Sequence, residues 1–420
     1  MKRLVSCAVL VGLIAAISSC GDQLDGGAAC PTLCPEQNLP VRDTVLDVVT
    51  FDSTVGPFPL RGQEPALLLA SRGDTLDVRA VARYDSLPTT YTENGTSHDV
   101  TAVDSSRVFI RIDTSVVNYT GTITLKVFDV DTTAADTNTA ALIPLFRPDR
   151  LLGSLDIPRE RLFLDDTVTV QIPNSFVLAK ILGHGRIRIG FQLVGHGDIT
   201  LRSVESNLPA ALQYDPAPGN TSVASRSMGP LSNSPTTDPL LENDLRDFSL
   251  VVKGLPTPTE RVTAGGLPSY RAYMRFDIPK YFLDSVVIVR AQLSIVQRPV
   301  RGFQDTLLTL IYPVAASSSE TVTDIRRAAL LVYPALSFGV KGIAYVPSDS
   351  GERLIDMVQL FRQWSTNSAN KNAPQTALVL RGASEGRQTG RLAFFGIDAP
   401  LGLRPRLRIS YVARSRFGIP

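Results

Sequence analysis

The chain has 420 residues, is 44% hydrophobic and carries a formal charge of +2. At roughly 100–200 residues per domain this length accommodates two or three domains, each with a sizeable core. The near-neutral charge gives no electrostatic basis for nucleic-acid binding, which concentrates positive charge on one face. Plentiful Val, Ile, Thr, Gly and Pro with few long helical periods predict an all-β protein.

Met1-Lys2-Arg3 is a short basic region, and Leu4 to Ile17 is an apolar run of signal-peptide length, too short for a comfortable bilayer span. The run ends in Ile17-Ser18-Ser19-Cys20. This resembles the lipobox of bacterial lipoproteins, a branched apolar residue and two small residues before cysteine. The resemblance implies that 1–19 is a lipoprotein signal peptide cleaved between Ser19 and Cys20. It also implies that Cys20 carries a diacylglyceryl thioether and an N-acyl chain. Several acyl chains hold firmly to a membrane, at about 0.8 kcal/mol per buried CH₂. Gly21, not Asp, follows the cysteine, and by resemblance to known sorting behaviour this implies an outer-membrane lipoprotein, periplasmic or surface-facing. The competing reading is an ordinary secretory signal with an incidental cysteine. In an oxidising envelope Cys30 and Cys34 are a candidate disulfide closing a small loop. Two free thiols are the alternative, and a metal site comes last, because no nearby His or further Cys completes a zinc shell. Residues 20–40, rich in Gly, Ala and Pro, read as a flexible tether.

A first β unit is expected over 41–215. Val41 to Phe51 reads as its first strand. Thr75–Val78 leads into Arg79–Pro88, whose side chains alternate, and Asn94-Gly95 is a turn signal. Arg107–Asp113 and Thr122–Asp129 alternate again, with a hairpin turn expected at Asn118–Gly121. Asp129, Asp131 and Asp136 form an acidic cluster. A calcium site and a solvated loop are both open, and the loop is favoured because the DxDxDG spacing is missing. Phe176–Leu182 is expected as a short helix, capped by Asn174 or Ser175 and stopped at Gly183. Strands follow at Arg186–Val194 and Ile199–Ser203, and the unit closes near Leu208–Tyr214.

Residues 216–244, rich in Pro, Ser and Thr, read as a linker or long surface loop, and 245–415 as a second β unit. Asp247–Lys253 is expected to open that unit. In Tyr270–Pro279, Ala272, Met274, Phe276 and Ile278 alternate with Arg271, Tyr273, Arg275 and Asp277, as a strand with one buried face requires. Ser285–Val296 and Thr306–Tyr312 are further strands, and Thr323–Leu331 a helical turn. Asp349 and Glu352 are spaced as a capping box before Glu352–Trp364, a run with an apolar helical stripe. Trp364, the only tryptophan, is read as a core anchor on that stripe in preference to a sugar platform. Thr376–Arg381, Arg391–Phe395 and Pro405–Tyr411 are the last strands. Arg406 and Arg408 on the last one suit an acidic polysaccharide or lipid phosphate, and more simply a wet, soluble face.

The order of Arg275-Phe276-Asp277, Ala291–Ile295, Asp356–Trp364, Leu378–Gly382 and Arg404–Tyr411 resembles the DNRLRE-type β-sandwich modules of secreted and surface-anchored bacterial proteins. The resemblance covers most of 245–412 and implies a jelly-roll-like sandwich. Some members of that family are classed as carbohydrate-binding modules. Arg83-Tyr84-Asp85, the helix at 176–182, Leu193-Val194-Gly195 and Leu208–Tyr214 follow the same order more weakly, as a degenerate first copy. The expected fold is therefore all-β: two jelly-roll-like β-sandwich domains with short helices, after a signal peptide.

His98, His184 and His196 are the only histidines, and none is paired at metal-ligand spacing on a helix. Nucleophile-elbow, Walker, H-E-x-x-H and dinucleotide-binding motifs are missing. These readings lead to a lipid-anchored, non-catalytic envelope protein with a structural or interaction role and no cofactor. The alternative is a glycan-binding lipoprotein, for which exposed Tyr270, Tyr273 or Tyr281 beside a groove would be the platform. A glycoside hydrolase comes third and needs two carboxylates facing one another in a pocket.

Overall fold

The structure is a computed structural model. It describes residues 40–420 apart from 116, 164–165, 234–244, 255, 302–305, 307, 317–320, 331–341, 369–375 and 415–420. Ser19, Cys20, Cys30 and Cys34, with the signal peptide and most of the tether, lie outside the described residues. Two strands lead, β1 (Arg42–Leu46) and β2 (Val49–Phe58). The next group is β3 (Ala66–Ser71), β4 (Asp77–Tyr84), β5 (Thr90–Glu93), β6 (Thr96–Asp99), β7 (Asp104–Arg111), β8 (Asn118–Tyr119) and β9 (Thr122–Asp129). Helix α1 (Thr139–Leu142), β10 (Leu151–Pro158), β11 (Thr167–Gln171) and α2 (Asn174–Leu182) follow. Next come β12 (Ile187–Val194), β13 (Gly197–Arg202), β14 (Ala211–Asp215), β15 (Arg226–Met228) and β16 (Asp247–Lys253). The last part holds β17 (Val262–Gly265), β18 (Ser269–Phe276), α3 (Lys280–Asp284), β19 (Val286–Arg298), β20 (Thr309–Ala316) and α4 (Ile325–Leu330). It ends with β21 (Ile343–Tyr345), β22 (Gly351–Asp356), α5 (Val358–Ser368), β23 (Ala377–Gly382), β24 (Arg391–Phe394) and β25 (Arg406–Ala413). The protein is all-β, with short helices at the margins.

Two sheets face one another in the first body. One has the order β10-β9-β12-β4-β3-β13-β8 with β16 added on β4, and the other is β11-β7-β14-β15. Alternate residues from both, such as Ala82, Tyr84, Val127 and Ile189 against Val108, Ile110, Val170 and Leu212, fill one core. The larger sheet is covered on its second face as well, by Leu142, Leu145 and Phe146 against Val81, Phe128 and Phe248. Burial on both faces is why β4 and β12 read as nearly unbroken buried runs. β7 and β9 lie in opposite sheets. The segment expected to be a hairpin turn at 118–121 is therefore a crossing between layers, and Asn118–Tyr119 pairs with β13. The Asn94-Gly95 signal does make a hairpin, between β5 and β6, with φ of 49° and 81° as a two-residue turn of this hand demands.

The second body is an eleven-stranded sheet in the order β1-β25-β19-β24-β17-β18-β23-β20-β21, with β2 on β18 and β22 on β19. Its two halves meet at the Gly265–Tyr270 pair of β17 and β18. Both supply one core, with Met274 and Leu380 from one half and Leu293, Phe394 and Ile409 from the other. The strand expected at 270–279 is β18, Ser269–Phe276, in the middle of this arrangement and paired with β2 along one edge and β23 along the other. Its second face, expected to be wet, buries Tyr273 in a cluster with Val55, Phe58 and Val379.

Three strands change bodies relative to the expected boundaries, and the expected first strand Val41–Phe51 is two of them: β1 pairs with β25 in the second body. β2, expected in the first unit, pairs with β18 over Ser269–Phe276. β16, expected to open the second unit, pairs with β4 over Asp77–Ala82. In none of the three does alternation name the neighbour; an open strand edge decides it. Residues 43–420 accordingly pack as one compact unit. Val78 and Ala70 of the first body meet Val251 and Leu267 in a shared apolar cluster.

Two helix expectations are corrected. Glu352–Asp356 is a strand, β22, which pairs antiparallel with β19 through Ile355↔Leu293 and its neighbours. The helix starts only at Val358, whose N–H is capped by the Asp356 carboxylate at 3.0 Å. Residues 354–357 satisfy both periods, and the unpaired edge of β19 favours the ladder. The capping box does not form, since Asp349 pairs with Arg353 at 3.2 Å and Glu352 lies on the sheet. Trp364 is 2% exposed, with its ring 5.5 Å from both Phe276 and Phe361, as a core anchor should be. At α2 the cap position is Pro173 and has no side-chain bond. The Asn174 amide oxygen accepts from Ser106 N–H at 3.0 Å instead, tying the helix to β7.

Candidate functional site

The face of β1, β25, β19 and β22 carries a groove of about 480 Å³ with a mixed lining, Arg290, Gln292 and Arg408 beside Val45, Leu354 and Ile409. The pleat puts Leu293, Ile295, Leu407 and Ile409 inward and leaves Arg290 and Arg408 exposed, with Gln292 and Ser410 half-buried and Ser294 buried. Cross-strand register sets Arg290 opposite Ser410, Gln292 opposite Arg408, and Ser294 opposite Leu354. One Glu352 oxygen accepts from the Arg408 guanidinium and from the Ser294 hydroxyl, each at 2.5 Å. Asp43 of β1 accepts from the Ser410 hydroxyl at 2.5 Å. Arg290 is exposed and has no partner among the described residues. Arg408 and Glu352 are each 46% exposed, so solvent screens their pair and little free energy resists its redirection to a bound group.

Of the arginine row expected on the last strand, Arg408 is in the groove and Arg406 donates to the Leu401 carbonyl. Arg290 and Asp43 were not legible as groove residues, nor Glu352 as the partner of groove residue Arg408. Glu352 reads as a helix cap and Asp43 as part of another unit, and only the strand register brings them to one face. The tyrosine platform does not assemble. Tyr273 is 1% exposed, and Tyr270 is half-buried against Gly56. Tyr281 is exposed, but its ring meets Phe282 and Tyr411 edge-on, at 5.4 and 6.1 Å.

Asp129, Asp131 and Asp136 are neither a calcium site nor a solvated loop. Asp129 pairs with Arg150 at 2.9 Å, and Asp131 with Lys180 at 2.6 Å and Arg186 at 2.9 Å. The Asp131 partners hold its carboxyl below the usual range in spite of burial. Asp136, 7% exposed, lies between Arg83 and the fully buried Arg188. Arg83 also grips Asp85 through two bonds of 2.8 and 2.7 Å. Five cations thus consume the cluster's charge. No group of three or more His, Cys, Asp or Glu is placed to hold a metal among the described residues. His184 and His196 are exposed at strand margins, and His98 stacks on Tyr91 at 5.5 Å in the β5–β6 hairpin.

Two further buried acids had no sequence signal. Glu64 is 5% exposed, and burial pushes its carboxyl up to about 8 although backbone N–H groups of Ser249 and Gly62 pull it down. Asp247, 2% exposed, is pushed up to about 7 by burial and then by Glu205, while it accepts from Val204 N–H at 2.9 Å.

No protein-family model matches the chain. No curated protein matches it either. Among solved structures it aligns with that of infectious bursal disease virus Gx strain at 12% identity, over 88% of this chain and 78% of that chain, with a TM-score of 0.11. It aligns with the infectious bursal disease virus VP2 subviral particle at 11% identity, over 90% and 78%, with a TM-score of 0.11. Likenesses this slight carry no argument about fold or function.

Proposed function

We propose that the chain is a lipid-anchored, non-catalytic protein of the outer membrane, with a structural or interaction role. In this reading two jelly-roll-like sandwiches stand on the Cys20 anchor and meet a partner through the β1–β25–β19–β22 face. The observation that carries the reading is how the molecule deploys its charge. The interior acidic cluster is bound up with arginine and lysine inside the first body. One accessible sheet face of the second carries weakly held charges. Such an arrangement stiffens one body and leaves the other with a polar surface for contact. The anchor is tested by labelling cells with a palmitate analogue. Label is expected on the wild-type chain and lost in Cys20→Ala, and label persisting in the variant would refute the anchor.

A second reading, glycan binding, is favoured by the groove itself, whose Arg290, Gln292, Arg408 and Ser410 offer donors across a volume in the usual ligand range. A glycan-array screen of residues 21–420 decides it. Binding that weakens in Arg290→Ala and Arg408→Ala supports the reading, and no binding at high protein concentration removes it.

A further inference from the structure

A second cavity lies where the end of β2 meets β16. It has a volume of about 230 Å³ and is walled by Phe58 at the end of β2, Val251 of β16 and Leu267 before β18. Its polar groups are Glu64, Ser249, Arg61 and Thr139. Two of these are already committed. Arg61 donates to the Asp136 carbonyl at 3.0 Å and to the Thr139 hydroxyl at 2.7 Å, which pins its guanidinium to the start of α1. The other two are not fully used. Glu64 accepts backbone N–H bonds on both oxygens, from Gly62 at 2.5 Å and Ser249 at 3.2 Å. The Ser249 hydroxyl oxygen is buried and has no hydrogen-bond partner. A buried hydroxyl left unpaired costs about 1–3 kcal/mol, so a group that completes it gains from a vacancy already present.

We propose that this seam pocket binds a small neutral molecule with an apolar ring or branched body and one carbonyl or hydroxyl oxygen, the body lying against Phe58, Val251 and Leu267 and the oxygen accepting from Ser249. The volume sets the size. An apolar cavity of about 150 Å³ holds benzene, so this one takes a ring and a polar head. The charges set the neutrality. The Arg61 guanidinium already donates to the Asp136 and Thr137 carbonyls and to the Thr139 hydroxyl, so an anionic head would lose its hydration without gaining an uncommitted cation. The pocket is separate from the groove of the proposed function and shares no residue with it.

Benzamide is a suitable probe, with benzoate as its charged counterpart. Titration of residues 21–420, followed by ligand-observed NMR and calorimetry at pH 7, is expected to give saturable benzamide binding with a Kd of about 1 mM, typical of a fragment of this size. Ser249→Ala is expected to weaken it about tenfold, the worth of one buried hydrogen bond. Val251→Trp, which fills the cavity, is expected to abolish it while thermal unfolding stays cooperative. If Val251→Trp does not fold, Ser249→Ala alone decides. Benzamide that fails to saturate, that binds Ser249→Ala as tightly as wild type, or that binds a folded Val251→Trp overturns the site. Benzoate binding more tightly than benzamide overturns the ligand class.

Discussion

Arg83-Tyr84-Asp85 on β4 and Arg275-Phe276-Asp277 on β18 are alike in sequence and in station, yet they use their charges differently. Each motif ends a central strand, and each of those strands is paired along its length by a strand from the other side of the chain, β16 on β4 and β2 on β18. Each places an aromatic ring in its core. Tyr84 is fully buried with its hydroxyl donating to the Ala210 carbonyl at 2.9 Å, and Phe276 packs on Trp364. The arginines then diverge. Arg83 is 4% exposed and holds both Asp85 and Asp136, whereas Arg275 is half-buried and Asp277 is exposed. The difference comes from the loop after β9, which brings Asp136 over the end of β4. A charge removed from water needs partners, and the first body supplies them from a distant loop. The motif is therefore a station on a strand, and what covers the strand's end decides whether its charge is structural.

The largest expected effect follows directly. Asp136→Ala removes the shared counterion of Arg83 and Arg188, the latter fully buried, and is expected to cost about 3–5 kcal/mol in urea unfolding. Arg275→Met, at the second body's counterpart of Arg83, is expected to cost no more than about 1 kcal/mol. Equal losses at the two positions would erase the contrast.

The seam between the bodies gives a pH signature of intermediate size. Glu64 has an ordinary value of 4.5 and titrates near 8 in the folded chain. Between these values the folded protein keeps a proton that the unfolded chain has released. The stabilising share of Glu64 is thus complete below the lower value, falls as pH rises at about 1.4 kcal/mol per unit, and is gone above the upper one. Asp247, pushed up to about 7, acts in the same direction over a lower window. Urea midpoints measured from pH 5 to 9 are expected to decline in wild type and to decline less in Glu64→Gln, the remaining slope belonging to Asp247. A Gln variant with the full wild-type slope would show that Glu64 is ionised in the fold.

The all-β class, the central place of Tyr270–Pro279 and the core position of Trp364 were legible in the sequence, because period-two alternation and a helical apolar stripe report burial locally. The groove was not. Glu352 shows a helical spacing as good as its strand spacing, and only the free edge of β19 selects between them. Nor were the ion pairs of Asp129, Asp131 and Asp136 legible, since their partners Arg150, Lys180, Arg186, Arg83 and Arg188 lie on elements that only the fold brings near. Strand exchange was invisible for the same reason: β2 and β16 alternate like any half-buried strand, and alternation names a face, not a neighbour.

The smallest expected effect is at the groove. Arg408 and Glu352 form a short pair, but both are about half exposed and their attraction is largely screened. Replacing Arg408 by Met leaves Glu352 in water and still bonded to the Ser294 hydroxyl, so no charge is stranded. The expected cost is therefore about 0–1 kcal/mol, shrinking as salt is raised, against the several lost when Asp136 is removed. A loss above about 2 kcal/mol would mean that the pair anchors β22 to β25 across β19, and a groove whose charges are needed to hold its own strands together would have none to lend to a partner.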